Sequence, residues 1–138
     1  MKYIFAIIVL ATVAIALPRM KRQAYVLPDG VELIVGSIQT SFKCDGLRLG
    51  FYADQANGCK IFHVCNPVVH ADGTEETQHY SFYCGNQTVF DQLSLTCSTQ
   101  DEAVSCDRAK DFFYVNDKIG DPKALFLTED DVLRARKI

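Results

Sequence analysis

Short segments of alternating apolar and polar residues fill the middle of this chain, and they predict β-strands. The clearest is 59–65, where a period of two puts Ile61 and His63 on one face and Phe62 and Val64 on the other. No segment before the last thirty or so residues has a convincing helical pattern. The predicted strands are 49–53, 59–65 and 78–84, followed by a smaller hairpin of 88–91 and 95–97.

Weaker patterns flank these strands. Residues 23–40 form an N-terminal arm in which Leu27–Gly30 is a turn signal and Val31–Val35 is predicted as a strand. Residues 109–138 form a tail without cysteine.

Three features divide the tail. The apolar cluster 111–115 is predicted to pack back on the domain, because an exposed apolar patch of this kind would promote association or aggregation. Residues 116–122 predict a turn-rich linker. A short helix is predicted from Thr128, with acidic residues in its first turn and basic ones near its end.

Residues 1–16 are predicted to be a secretion signal. After the positive charge of Lys2, residues 3–17 are apolar except for Thr12, and Ala14-Ile15-Ala16 fits the pattern before a signal-peptidase cut. A transmembrane anchor is disfavoured, because this run is short for the roughly 30 Å of a bilayer core. Residues 17–22 are predicted to be a propeptide, because Arg19-Met20-Lys21-Arg22 matches a convertase site. The mature protein is therefore expected to be extracellular.

Removing this leader makes the chain more acidic. The full sequence has 14 Lys and Arg against 17 Asp and Glu, and the leader takes four basic residues and no acidic one, so the mature balance is 10 − 17 = −7. Nucleic acids and anionic membranes attract basic patches, so neither is expected as a partner.

The cysteines are the main source of stability that the sequence predicts. All six lie between residues 44 and 106. A domain of this size buries only about 60% of its unfolded surface and is marginal without crosslinks. In an oxidising compartment the thiols should form disulfides, so no metal site is expected. Six cysteines allow about 15 sets of pairs, and the spacing favours only a tie across the hairpin between Cys84 and Cys97.

The motifs between the cysteines resemble the type-2 chitin-binding domain, the peritrophin-A class of invertebrate carbohydrate-binding modules. The resemblance covers residues 41–108. It rests on Gly50-Phe51-Tyr52-Ala53-Asp54, Cys59-x2-Phe62-x2-Cys65, Cys84-x5-Phe90-Asp91-x5-Cys97 and Val104-x-Cys106.

The resemblance implies a fold and a set of crosslinks. The fold is a small disulfide-rich all-β domain with a three-stranded antiparallel sheet and a two-stranded hairpin, here flanked by the arm and a short C-terminal helix. The implied disulfides are Cys44–Cys65, Cys59–Cys106 and Cys84–Cys97. The family binds chitin without cutting it, so an enzyme is not expected, nor any cofactor.

Exposed aromatic rings are the expected ligand contacts, because a flat ring covers the C–H face of a sugar. Tyr80 and Phe82 share one strand face and are the better candidates, and the resemblance adds Phe90 and Asp91 of the small hairpin. Asn86-Gln87-Thr88 is an N-glycosylation sequon beside that hairpin.

Two functions are consistent with these features. The first is a secreted protein that binds chitin or N-acetylglucosamine oligomers. The alternative is a soluble secreted effector on the same scaffold, such as an arthropod venom-gland component, with weak or no chitin binding.

Overall fold

A computed structural model of the chain describes residues 24–136. The predicted signal peptide and propeptide therefore lie outside the described residues. The strands are β1 (Gly50–Ala53), β2 (Ile61–Val69), β3 (Glu75–Tyr83), β4 (Thr88–Asp91) and β5 (Thr96–Thr99). The helices are α1 (Glu32–Val35) and α2 (Glu129–Arg136), with 3₁₀ turns at Gln55–Asn57 and along Cys106–Lys118.

The strands form two antiparallel units, as predicted. One is a three-stranded sheet in the order β1-β2-β3, and the other is the β4–β5 hairpin. In the sheet, Phe62 lies opposite Phe82 and Val64 opposite Tyr80, so these four residues share one face. His63 and Ser81 form a pair on the opposite face.

Three disulfides crosslink the domain. They join Cys44 to Cys65, Cys59 to Cys106, and Cys84 to Cys97, which are the pairs that the family resemblance implies. Cys59, Cys65 and Cys84 are almost completely buried. By the chain-entropy relation, loops of 47, 21 and 13 residues correspond to about 4, 3 and 3 kcal/mol respectively. The bonds therefore compensate for a small apolar core.

Two interpretations of the arm are corrected by the structure. Val31–Val35 was predicted as a strand, but residues 32–35 form the helical turn α1. This segment pairs with no strand of the described range 24–136, and its backbone is paired locally, as when Val35 N donates to Val31 O at 2.9 Å. The expectation of no helix before the tail is therefore also wrong, since both α1 and the turn at Gln55–Asn57 precede it.

The tail packs on the domain. Phe112 and Val115 are fully buried, which confirms the prediction for the cluster 111–115. The predicted linker is partly wrong, because the helical segment continues to Lys118 and Asn116 is buried. The predicted C-terminal helix is present as α2. Its first turn is capped reciprocally: Thr128 N donates to Asp131 Oδ2 at 2.8 Å, and Asp131 N donates to Thr128 Oγ1 at 3.3 Å.

Asp131 fastens α2 to the rest of the tail. Although its burial alone would raise its pKa, hydrogen bonds from Lys118, Tyr114 and Thr128 outweigh that effect and hold the pKa well below the usual range. The Lys118 ammonium lies 2.6 Å and the Tyr114 hydroxyl 2.7 Å from its oxygens. Asp131 is therefore a structural carboxylate.

Candidate functional site

The sheet face that carries Tyr80 and Phe82 is only partly covered. The β4–β5 hairpin packs over one part of it, where Ala53 and Phe90 are buried together and Phe51 and Phe62 pack against them. Tyr80 and Phe82 lie on β3 at the edge of the sheet, beyond this cover, and remain 37% and 46% exposed. Two aromatic side chains thus reach solvent side by side on one strand face.

Phe82 is the outer member of a stack of three rings. Its ring lies 5.4 Å from that of Phe62 with an angle of 20° between the planes. Phe62 in turn stacks on the buried ring of Phe90 at 4.3 Å and 16°. Near-parallel stacking on Phe62, which is itself stacked on Phe90, restrains the outer ring, and the Phe82 side chain remains 46% exposed.

Two amides lie beside Tyr80 on the same face. Asn66 and Gln78 are opposite each other in the β2–β3 register, and Asn66 Nδ2 donates to Gln78 Oε1 at 3.1 Å. The Tyr80 hydroxyl donates to the same oxygen at 3.2 Å. The sequence interpretation missed these amides, although the period of two already places Gln78 on the face of Tyr80 and Phe82.

The structure places Phe90 and Asp91 inside the protein, so the expectation that they contact a ligand is corrected. Phe90 is 2% exposed, because the hairpin turns its ring inward against Phe62. Asp91 is 5% exposed, and its carboxylate accepts hydrogen bonds from Ser94 Oγ at 2.6 Å and Val104 N at 3.1 Å. Both residues hold the hairpin in position.

The turn between β3 and β4 is exposed. Asn86 and Gln87 face solvent, and Gln87 has a positive φ of 61°. They line one side of a cleft that also includes Lys60 and Val89. Thr88 Oγ1 donates to Gly85 O at 2.8 Å, so the sequon lies in a defined turn.

The opposite face of the sheet carries a buried polar network. His63 is fully buried, with Nε2 3.0 Å from Asp54 Oδ2 and Nδ1 2.8 Å from Ser81 Oγ. His79 Nε2 lies 2.9 Å from the same Nδ1. Burial, followed by the neighbouring His63, lowers the pKa of His79. Burial would raise the pKa of Asp54, but hydrogen bonds from His63, Asn57 and Tyr25 outweigh it and lower that pKa.

The N-terminal arm and the adjoining Phe42 cover this network. The Tyr25 hydroxyl donates to Asp54 Oδ2 at 3.0 Å, and the Phe42 ring stacks on His63 at 4.1 Å. The Ser81 hydroxyl donates to the carbonyl oxygen of Ala24. Ser81, His63 and Asp54 are the residue types of a hydrolase triad. Here, however, the Ser81 hydroxyl donates its proton to Ala24 O, and the Phe42 ring covers the His63 imidazole. These contacts attach the arm to the sheet.

Neither a metal site nor a membrane span is found in the part of the chain that the structure describes. Residues 24–136 contain no group of three or more metal-ligating side chains placed to hold an ion. Within the same range, no helix has the length and apolar character needed to cross a bilayer.

The sheet, the hairpin and the three disulfides make this a small crosslinked β-module, with two aromatic side chains exposed on one face of its sheet. The family model "Chitin binding Peritrophin-A domain" matches residues 44–106, a little under half of the 138-residue chain. The match lies within the predicted bounds of 41–108.

Two similar proteins carry toxin names. U-scoloptoxin(01)-Cw1a of Cormocephalus westwoodi is 38% identical over 71 residues, which are 51% of this chain and 53% of that protein. U-scoloptoxin(01)-Er1a of Ethmostigmus rubripes is 33% identical over 85 residues, which are 62% of this chain and 57% of that protein. The chain thus spans little more than half the length of these curated relatives. No solved structure matches it significantly.

Proposed function

We propose that this chain is a secreted, non-catalytic chitin-binding protein that holds N-acetylglucosamine residues against Tyr80 and Phe82. The observation that carries the proposal is the exposure of Phe82 at the end of the ring stack, on a segment that matches the model of a chitin-binding family. No cofactor is required for such binding.

The chemistry of the exposed face suits an N-acetylated sugar. A pyranose presents C–H groups on its ring face and polar groups on its rim, and an aromatic ring can cover the former. The Tyr80 hydroxyl and the amides of Asn66 and Gln78 lie beside the aromatic pair. They can hydrogen-bond hydroxyl and acetamide groups. Because the polymer repeats its sugars, weak contacts at single sites can still retain a protein on its surface.

Phe90 and Asp91 support this site from within. Phe90 stacks on Phe62, and Phe62 in turn supports the outer ring of Phe82. The hydrogen bonds of Asp91 to residues of its own turn and to Val104 hold the hairpin closed over the inner part of the face. Their proposed role is to position the ligand-binding residues.

A glycan on Asn86 would modify this function. Asn86 is exposed, and it follows Phe82 by four residues at the end of β3 where the aromatic pair also lies. We propose that Asn86 is glycosylated, with leader cleavage after residues 16 and 22. A glycan here would lie close enough to shield part of the aromatic face. Intact-mass measurement of the secreted protein, before and after enzymatic deglycosylation, tests the glycan and both cleavages.

The second candidate is a soluble secreted effector with weak or no chitin binding. The names of the two relatives favour this role, since both are called toxins. The acidic balance of the mature chain agrees with a freely soluble protein, but it does not separate the candidates.

Retention on chitin beads separates them. The mature secreted protein is compared with the double variant Tyr80→Ala, Phe82→Ala and with Phe126→Ala, a control whose phenylalanine is 45% exposed on the tail. The proposal predicts that wild type and Phe126→Ala are retained and that the double variant passes through. Free passage of the wild type, both glycosylated and deglycosylated, would contradict chitin binding and favour the effector.

A further inference from the structure

The two edges of the three-stranded sheet differ in whether their outward backbone groups are hydrogen-bonded. The outer edge of β1 is closed by two buried side-chain amides. Asn116 Oδ1 accepts from Phe51 N and Asn116 Nδ2 donates to Phe51 O, each at 2.9 Å. Gln92 Oε1 accepts from Ala53 N and Gln92 Nε2 donates to Phe51 O, each at 2.8 Å. These amides replace the hydrogen bonds of a missing neighbour strand.

The outer edge of β3 has no such cap. Cys84 N donates to Lys60 O at 2.8 Å, which continues the β2–β3 register and shows that even-numbered residues of β3 point their backbone groups at β2. The odd-numbered residues therefore point theirs outward. Their outward N–H and C=O groups form no hydrogen bond with another residue of the range 24–136. The outward residues are Glu75, Thr77, His79, Ser81 and Tyr83.

This edge also has little of the usual protection against strand pairing. Natural edges are blunted by short length, charged side chains such as lysine, proline, a bulge or a covering segment. β3 runs for nine residues, contains neither lysine nor proline, pairs with β2 without interruption, and carries its two glutamates only at its first two positions. β1, in contrast, has four residues and is closed by the amides.

We propose that β3 pairs antiparallel with β3 of a second copy of this chain, about a twofold axis at His79. In this register Glu75 lies opposite the second copy's Tyr83, and Thr77 lies opposite its Ser81. Every outward-pointing residue then meets another outward-pointing residue, as an antiparallel ladder requires. The full nine residues of each strand overlap, and the glutamates at the start of one strand face the aromatic residues at the end of the other. In this register the backbone groups of the two edges pair, and no two acidic residues lie directly opposite each other.

The pairing would double the candidate binding surface. A twofold axis perpendicular to the sheet keeps equivalent faces on the same side, so both copies of Tyr80 and Phe82 would lie on one six-stranded face. This consequence rests on the proposed chitin function, whereas the pairing itself does not. Two linked sites can bind a polymer about 10² to 10⁴ times more tightly than one. One domain per chain would then suffice for bivalent attachment.

Thr77→Pro tests the pairing. Thr77 is exposed and its N–H points outward, so proline removes a donor that the β2–β3 ladder does not use. The matched control Thr77→Ala keeps that N–H. Sedimentation equilibrium is measured on the mature, disulfide-intact chain, with near-ultraviolet circular dichroism to verify folding. We expect dimers for wild type and Thr77→Ala, and association at least about tenfold weaker for Thr77→Pro, because each dimer loses two backbone hydrogen bonds.

Two results would overturn the proposal: a wild type that stays monomeric at the highest concentrations reached, or a folded Thr77→Pro variant that dimerises as well as wild type. Chitin retention is measured on the same three proteins. Dimers that are not retained would leave the pairing intact and refute the proposed function. Retention that is equal for dimer and monomeric variant would refute the bivalent role of the pair.

Discussion

Gly50 and Asn116 offer a quantitative test of how the tail is joined to the sheet. A Cβ atom at position 50 would lie 2.4 Å from Asn116 Cγ and 2.6 Å from its Oδ1, so Gly50→Ala forces the asparagine to move. Asn116 is 3% exposed and bonded to both backbone groups of Phe51, so it cannot move without breaking those bonds. Overpacking of this kind costs about 1–3 kcal/mol.

Asn116→Gly acts on the same contact, and it also removes the Asn116 Cβ that would lie 2.7 Å from the new Cβ at position 50. It leaves the Phe51 N–H without its acceptor, which costs about 1–3 kcal/mol, whereas Phe51 O keeps its bond from Gln92 at 2.8 Å. In the double variant the alanine at 50 no longer meets a side chain at position 116. The double variant should therefore be destabilised about as much as Asn116→Gly alone, and the two single effects should couple by about 1–3 kcal/mol.

The free energy of unfolding from guanidinium denaturation, with the disulfides intact, measures this cycle. Similar denaturant dependence in all four proteins is the condition for comparing them. Effects that add to within about 0.5 kcal/mol would show that the clash and the hydrogen bonds are independent, and would refute the reasoning.

Three other outcomes follow from the packing and the charges. Phe90→Ala should lower the free energy of unfolding by about 3–5 kcal/mol, because the ring is 2% exposed, and an effect below 1 kcal/mol in denaturation would contradict its place in the core. Tyr25→Phe removes a hydroxyl that donates to Asp54 and accepts from Phe42 N, so backbone amides of the arm should exchange hydrogen faster while those of the sheet do not. The lowered pKa of His79 means that the unfolded chain binds more protons just below pH ~6.5, and the lowered pKa of Asp54 has the same effect below pH ~4. The two groups should therefore make stability fall as the pH is lowered, and His79→Gln should flatten the upper part of that fall in thermal melts at several pH values.

Alternation along the chain was sufficient to predict the five strands between the cysteines and their faces, although β2 and β3 extend further than predicted and the strand predicted at 31–35 is a helical turn. A period of two depends on local geometry, so the pairing of Phe62 with Phe82 and of His63 with Ser81 follows once the register is set. The difference between Phe82 and Phe90 depends on how the hairpin packs across the sheet. Both are phenylalanines in antiparallel strands, yet one is 46% and the other 2% exposed. No local pattern carries that information.

Contacts between distant segments were likewise beyond a local pattern. Asn116 bonds Phe51 from 65 positions away, and Gln92 bonds Ala53 from 39 positions away. Each is a buried polar residue whose side-chain amide pairs with the outer backbone edge of β1. The packing of Tyr25 of the arm against His63 is likewise a contact between distant segments. Residues 32–35 pair with no strand among residues 24–136, and their backbone groups instead pair within the helical turn α1.

The proposed binding of N-acetylglucosamine ring faces by Phe82 and Tyr80 can be followed residue by residue in solution. The aromatic proton signals of the mature protein are recorded in NMR spectra while an N-acetylglucosamine oligomer is added. We expect saturable shifts at Phe82 and Tyr80 and at the side-chain amides of Asn66 and Gln78, with the signals of Phe126 unchanged. Saturable shifts confined to other parts of the surface, or none at all, would contradict the proposed binding.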